Sequence, residues 1–154
     1  MACTALCAGY GTPISPRTIP IRARIMTHSE YHTSEEARGS HDIDQAIADP
    51  AHPITLFSLT WCSYCRATKQ LLQQLGLSYR IIELDQGRYL ESRVREQARA
   101  RLQQLTHSAT LPQLFIGDEL VGGYTDTYAA LQNGKLEALL KSRGIRSNGS
   151  SSAP

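Results

Sequence analysis

Residues 54–76 read ITLFSLTWCSYCRATKQLLQQLG, and this stretch carries the clearest secondary-structure signals of the chain. Its first five residues form a short apolar run of β-prone side chains, which predicts a buried strand. Apolar side chains then recur at helical spacing: Ala67, Leu71, Leu72 and Leu75. Gly76 is placed to end this helix in a left-handed conformation. The stretch therefore predicts a strand followed by a helix, with the cysteine pair Cys62 and Cys65 at the helix N-terminus.

The sequence on either side predicts a small mixed sheet covered by helices. In chain order, the predicted elements are a helix at 41–47, a strand at 54–58, a helix at 63–75, a strand at 79–84, a helix at 89–105, strands at 113–116 and 120–121, and helices at about 125–132 and 135–142. Gly117 and Asp118 are suited to the tight turn between the last two strands. Parallel strands joined by a helix and followed by an antiparallel hairpin indicate an α/β fold with a four-stranded sheet.

One domain is predicted between two polar extensions. The domain covers residues 41–142, and residues 143–154 are predicted to be a disordered tail. Residues 1–40 are predicted to be a disordered or targeting extension. Residues 1–25 contain three arginines and no acidic residue, as transit peptides do, whereas Met26 is an alternative start. We expect a cytoplasmic protein, or an organellar one if residues 1–25 are a transit peptide.

Composition and charge exclude several classes of function. The formal charge of +2, without a basic run, gives no electrostatic ground for binding nucleic acid. No apolar stretch approaches the roughly 18 to 20 residues that a membrane helix needs, so no membrane association is expected. The 4 cysteines are too sparse for a disulfide framework, which favours a reducing compartment.

The pair of Cys62 and Cys65 has three possible uses. A structural zinc site needs four ligands, and the chain has one such pair with His107 as the sole histidine downstream. A structural disulfide across so few residues would remove little chain entropy from the unfolded state. We therefore favour a redox couple, and no metal site is predicted.

The position of the pair assigns a role to each cysteine. A thiolate at a helix start faces unpaired backbone N–H groups and the positive end of the helix dipole, which favours Cys62 as the attacking thiol. Cys65 lies one turn further in, within reach to form the internal disulfide, and is the resolving thiol. Taken alone, this arrangement indicates a thioredoxin-like oxidoreductase without naming its reductant.

Three motifs narrow the class. They are Trp61-Cys62-Ser63-Tyr64-Cys65, Thr110-Leu111-Pro112 and Gly122-Gly123-Tyr124-Thr125-Asp126. They match the active-site, TVP and GG-x-[ST]-D elements of the glutaredoxins, with Leu111 in place of the valine, and their order and spacing also fit. The chain closely resembles that family over about residues 41–142, and the resemblance implies a thioredoxin-like fold.

The resemblance also implies a glutathione site. Its predicted residues are Tyr64, Arg99, Thr110, Leu111, Pro112, Gly123, Thr125 and Asp126. Leu111 would present its backbone to the cysteinyl part of glutathione before a cis Pro112, and Thr125 and Asp126 would meet the γ-glutamyl end. An ordinary trans proline and a simple helix cap are the structural alternatives.

One position departs from the family pattern. Leu59 stands where glutaredoxins commonly carry a lysine, three residues before the first cysteine. The glycyl carboxylate of glutathione would then rely on Arg99, with Lys69 or Arg66 as further candidates. Trp61 is predicted to pack beside the site.

The resemblance leaves two functions open. In the first, Cys62 attacks glutathione mixed disulfides, and Cys65 is needed only for protein disulfides. The partners would then be glutathione and glutathionylated or disulfide-bonded proteins, and the protein a monomer. In the second, the CSYC sequence resembles family members that hold a [2Fe–2S] cluster between two subunits, with one Cys62 from each subunit and two glutathione thiols as ligands.

Overall fold

A computed structural model of the chain describes residues 37–146, and the elements follow the predicted order. They are α1 (Arg38–Ile47), β1 (Ile54–Ser58), α2 (Ser63–Gln74), β2 (Arg80–Glu83), a 3-10 turn (Gly87–Leu90), α3 (Ser92–Thr106), β3 (Gln113–Ile116), β4 (Glu119–Gly122), α4 (Tyr124–Gln132) and α5 (Lys135–Ser142). Most of the predicted extension and of the predicted tail, residues 1–36 and 147–154, lies outside the described residues.

The four strands form one mixed sheet in the order β2-β1-β3-β4. β1 pairs parallel to β2 and antiparallel to β3, and β4 continues the sheet antiparallel to β3. Every residue of β1 and β3 is buried, because helices cover both faces of the sheet. The predicted four-stranded mixed sheet covered by helices is confirmed.

The sheet separates two apolar clusters. Side chains along a strand point alternately to its two faces, so Phe57 and Leu56 of β1 belong to different clusters. Phe57 packs with α1 and α3, and its ring meets that of Phe115 edge to face at 5.8 Å. Leu56 packs with α2, α4 and α5. This three-layer packing fixes the end of β1, where the cysteine pair begins.

Several element limits differ from the predicted ones. α1 begins at Arg38, three residues before the predicted start of the domain. The first turn of this helix is polar in sequence, so it gives no sign of packing, although Gly39 within it is buried. The long helix begins at Ser92 instead of 89, since the preceding residues form the 3-10 turn. Beyond α5, Ile145 packs against the second cluster although it lies in the predicted tail. The domain division itself stays a prediction.

The end of α2 and the lengths of the helices can be compared with the sequence predictions. Gly76 has φ 63°, the left-handed conformation predicted for the end of α2. Within residues 37–146, no helix combines the length and the apolar character needed to cross a bilayer.

Candidate active site

Cys62 caps the N-terminus of α2. Its backbone is extended, with φ −79° and ψ 122°, and the Cys65 N–H donates to its Sγ at 3.3 Å. The sulfur thus takes the place of the side-chain oxygen that usually accepts this bond at a helix start. A thiolate would accept the bond more strongly than a thiol, and Cys62 remains partly exposed. The arrangement suits an accessible nucleophile.

Cys65 is the buried member of the pair. Both cysteines are free thiols, and Cys65 has no solvent exposure. Burial, and after it the hydrogen bond with Cys62, raise the pKa of the Cys65 thiol to about 11. At neutral pH Cys65 therefore stays protonated and shielded. The division into an attacking and a resolving thiol stays a prediction.

The raised pKa of Cys65 predicts slow alkylation of the folded protein. In Cys62→Ser protein, we expect iodoacetamide to leave Cys65 unmodified at pH 7 and to modify it only as the pH rises above 9, because thiolate forms only as the folded pKa is approached. Peptide mass spectrometry distinguishes this site from Cys3 and Cys7. In denaturant the same cysteine should react at lower pH. Equal rates at pH 7 in the folded and unfolded states would contradict the prediction.

The loop before β3 approaches the Cys62 sulfur. The Leu111–Pro112 peptide bond is cis, as the resemblance implies, and the Leu111 carbonyl oxygen lies 3.7 Å from Cys62 Sγ, from which it accepts a weak hydrogen bond. The loop is held from within, because the Gln113 side-chain amide donates to the Thr110 carbonyl at 2.9 Å. The first two motifs are therefore in contact.

The glycine pair leads into α4 beside that loop. Gly122 has φ 114°, and a Cβ there would lie 2.5 Å from Asp126 Oδ2, so this position needs glycine. A Cβ on Gly123 would lie 3.6 Å from the Pro112 carbonyl oxygen, which places the start of α4 against the cis-proline loop. The Gly123 N–H donates to Asp126 Oδ2 at 3.0 Å. Asp126 is thus a helix cap, and this does not prevent it from meeting a ligand.

The aromatic residues of the first motif lie at the surface. Tyr64 is 61% exposed, and its ring centroid is 6.0 Å from that of Tyr124. Trp61 is 74% exposed, so the prediction that it packs beside the site is wrong. Leu59, Phe57 and Leu84 belong to the core cluster on this side of the sheet, and Trp61 is not among the residues packed against that cluster. Thr125 is also exposed, at the start of α4.

The candidate cations differ in their surroundings. Leu59 stands where glutaredoxins commonly carry a lysine; it is only 7% exposed and packs in the apolar core, so it supplies no charge to the site. Arg99 donates from Nη2 to the Ala109 carbonyl at 3.3 Å, which keeps its guanidinium against the segment leading to Thr110. Lys69 instead forms an ion pair with Glu83, which neutralises its charge. Arg99 is therefore the better placed of these two.

Asp85 is a residue of this region that the sequence analysis missed. Its carboxylate accepts the Thr60 N–H at 3.0 Å and also the Thr60 hydroxyl. This fixes the turn between β1 and Cys62. A sequence signal existed, because β1 and β2 are parallel and in register at Ser58 and Glu83, so the residues two positions further on meet at the same sheet edge.

Together, these features define the class of protein. A reduced dithiol stands at the N-terminus of a helix that follows a central strand, and a cis-proline loop faces its first sulfur. This is the site of a thiol–disulfide oxidoreductase, because one thiol is accessible for attack and the other is buried next to it, where it can form the internal disulfide.

Comparison with known proteins gives the family. The glutaredoxin family model matches residues 54–121. Monothiol glutaredoxin-S10 of Oryza sativa subsp. japonica is 30% identical over 138 residues, which cover 90% of this chain and 80% of the relative. The chain belongs to the glutaredoxin family and is a glutathione-dependent thiol–disulfide oxidoreductase.

Solved structures agree with this assignment. The crystal structure of a buckwheat glutaredoxin–glutathione complex has a TM-score of 0.64 and 31% identity, and the match covers 74% of this chain and 97% of that one. The holo form of glutaredoxin C1 from Populus tremula x tremuloides has a TM-score of 0.60 and 30% identity, covering 68% and 97%. The predicted thioredoxin-like fold is therefore confirmed.

Proposed function

We propose that this protein reduces mixed disulfides between glutathione and protein thiols through Cys62 alone. The observation that carries the proposal is the contrast between the two sulfurs. Cys62 Sγ is accessible and accepts the Cys65 N–H, whereas Cys65 is buried with a raised pKa. One sulfur is thus available to a bulky mixed disulfide.

The reaction needs two exchanges. The Cys62 thiolate attacks the glutathione sulfur of the mixed disulfide, that S–S bond breaks, and the protein thiolate leaves and takes up a proton. Cys62 is now bonded to glutathione. A second glutathione thiolate attacks the glutathione sulfur of this bond, which releases oxidised glutathione and restores the Cys62 thiolate. Two glutathione units leave as one disulfide, and the substrate thiol is reduced.

Glutathione would lie along the surface that joins the three motifs. Its cysteinyl part would form hydrogen bonds with the Leu111 backbone, close to Cys62. Its γ-glutamyl carboxylate would meet the N-terminal turn of α4 at Thr125, where backbone N–H groups point outward, with Asp126 near its ammonium group. The similarity to a buckwheat glutaredoxin whose crystal structure is a complex with glutathione supports a glutathione site on this protein.

The remaining end of glutathione carries the glycyl carboxylate. Arg99 would pair with it from beside the loop of Thr110, since its guanidinium already lies against Ala109. Tyr64 would border the groove on the other side of the sulfur.

Protein disulfides would require both cysteines. After Cys62 attacks, Cys65 resolves the mixed intermediate by forming the Cys62–Cys65 disulfide, and glutathione then reduces that bond. We expect Cys65→Ser to retain turnover of a glutathionylated peptide within about threefold of the wild type and to lose about tenfold or more on a protein disulfide. Steady-state rates on the two substrates check this. Equal losses on both substrates would contradict the monothiol step.

A cluster-binding role is the second candidate. Within residues 37–146, no group of three or more His, Cys, Asp or Glu side chains could hold a metal ion in one protomer. The buried Cys65 is out of reach, so a [2Fe–2S] cluster would need Cys62 from each of two protomers and two glutathione thiols. Trp61 and Tyr64, which flank Cys62 in the sequence, are exposed and would contact the second protomer of such a dimer. The protein would then serve as an iron–sulfur carrier or sensor.

Anaerobic reconstitution tests the second candidate. The protein is incubated with iron, sulfide and glutathione, and visible absorption and molecular mass are measured. A glutathione-dependent dimer that Cys65→Ser retains and Cys62→Ser loses supports it. A colourless monomer under these conditions removes it, and the proposal of a monomeric reductase then stands alone.

A further inference from the structure

Three tyrosines form a continuous row that starts beside the active site. The ring centroids of Tyr64 and Tyr124 are 6.0 Å apart, and those of Tyr124 and Tyr128 are 6.3 Å apart. Tyr64 is 61% exposed and Tyr128 48%, whereas Tyr124 is partly covered between them. We call these three residues the tyrosine row.

The helices explain why the row is continuous. Tyr124 and Tyr128 are four residues apart on α4, so they lie on the same face of that helix. Tyr64 lies in the first turn of α2, which packs against α4. The row therefore crosses from the helix that carries the cysteines to the helix that begins the predicted glutathione site.

The position of the row relative to Cys62 determines what can cover it. Tyr64 is two residues from Cys62, and Tyr124 directly follows Gly123, which lies against the Pro112 loop beside the sulfur. When Cys62 attacks a mixed disulfide, the substrate chain is bonded to the glutathione sulfur under attack, which brings it within reach of the surface around Cys62. The tyrosine row is continuous with that surface, so we infer that the substrate polypeptide is the partner that covers it.

The spacing of the rings fits an extended chain. Neighbouring side chains on the same face of an extended chain are roughly 6.6 Å apart, because each residue advances about 3.3 Å. The neighbouring ring centroids of the row are 6.0 and 6.3 Å apart. Alternate side chains of an extended segment could therefore each lie between two neighbouring tyrosine rings. Exposed tyrosine faces favour apolar and aromatic groups.

We propose that the tyrosine row is a docking surface for the protein substrate. Its partner is an extended polypeptide segment with apolar or aromatic side chains two and four residues from the glutathionylated cysteine. This inference rests on the proposed deglutathionylation and adds a preference for the sequence around the modified cysteine.

Two glutathionylated peptides of equal length test the proposal. One carries phenylalanine at the second and fourth positions on both sides of the cysteine, and the other carries serine there. The wild type should turn over the phenylalanine peptide with a kcat/KM about fivefold higher, as expected for one or two aromatic contacts. Tyr128→Ser should remove that preference and leave the rate on the serine peptide unchanged, because Tyr128 lies outside the glutathione site.

Conservative and remote variants separate docking from indirect effects. Tyr128→Phe should keep the preference because it keeps the ring, and Leu90→Ser, which changes another exposed apolar side chain, should have no effect. If the wild type turns over both peptides equally, the proposal that the tyrosine row docks the substrate is wrong, and the proposed deglutathionylation is unaffected. A wild type that turns over neither peptide overturns the proposed function as well. A dimer that Tyr128→Ser dissociates would assign the row to a second copy and overturn the proposal.

Discussion

Replacing Cys62 by serine is expected to abolish turnover of both glutathione mixed disulfides and protein disulfides. The accessible sulfur at the start of α2 is the only thiol of the pair that a substrate can reach, because Cys65 is fully buried. We expect kcat/KM to fall about 10³-fold or more, as when an enzyme loses its nucleophile. Glutathione-coupled assays on a glutathionylated peptide and on a protein disulfide measure the loss.

Serine is a suitable replacement because it preserves the helix start. Its hydroxyl oxygen can accept the Cys65 N–H that Cys62 Sγ accepts now, and serine is a preferred capping residue. The free energy of unfolding should therefore change by less than about 1 kcal/mol. Activity retained on the glutathionylated peptide would mean that another thiol attacks, and the proposed mechanism would be wrong.

Replacing Gly39 by alanine is expected to give a large loss of stability. A Cβ at this position would lie 2.2 Å from the Val94 carbonyl oxygen and 2.8 Å from the Gln97 Cβ, so α1 and α3 would have to separate. The Gly39 N–H would also lose its 3.1 Å hydrogen bond to Gln97 Oε1. We expect about 3 kcal/mol less free energy of unfolding, at the upper end of ordinary overpacking.

Urea unfolding of the purified variant measures this loss. His41→Ala is the matched control, since it lies in the same helix, is exposed and adds no atoms. It should change the free energy of unfolding by less than about 0.5 kcal/mol. A stable Gly39→Ala protein would show that α1 does not pack closely on α3, and that the folded domain begins after it.

The sequence predicted the strand, the cysteine pair and the following helix because their signals are local. The β-prone run of β1, with three apolar residues in five, and the 3.6-residue period of α2 can be recognised without knowledge of the rest of the chain. The cis bond before Pro112 has no such signal and came from the resemblance to the glutaredoxins. The contact between that loop and Cys62 likewise depends on the fold as a whole.

The features that sequence analysis missed depend on contacts between distant elements. Gly39 reads as an ordinary polar-segment glycine until α3 is placed against it. Trp61 was expected to pack, yet its side chain is exposed and lies outside the core cluster. The tyrosine row joins residues 64, 124 and 128, which are brought together only by the packing of α2 on α4. Asp85 is the exception, because strand register alone could have placed it near Thr60.

The most direct test of the account is to trap the glutathionylated intermediate. Cys65→Ser protein is mixed with one equivalent of glutathionylated peptide in the absence of free glutathione, and the intact protein and its peptides are analysed by mass spectrometry. We expect one glutathione per protein, bonded to Cys62, and an equal amount of released peptide thiol. Transfer of the peptide instead of glutathione, or modification at any other cysteine, would contradict it.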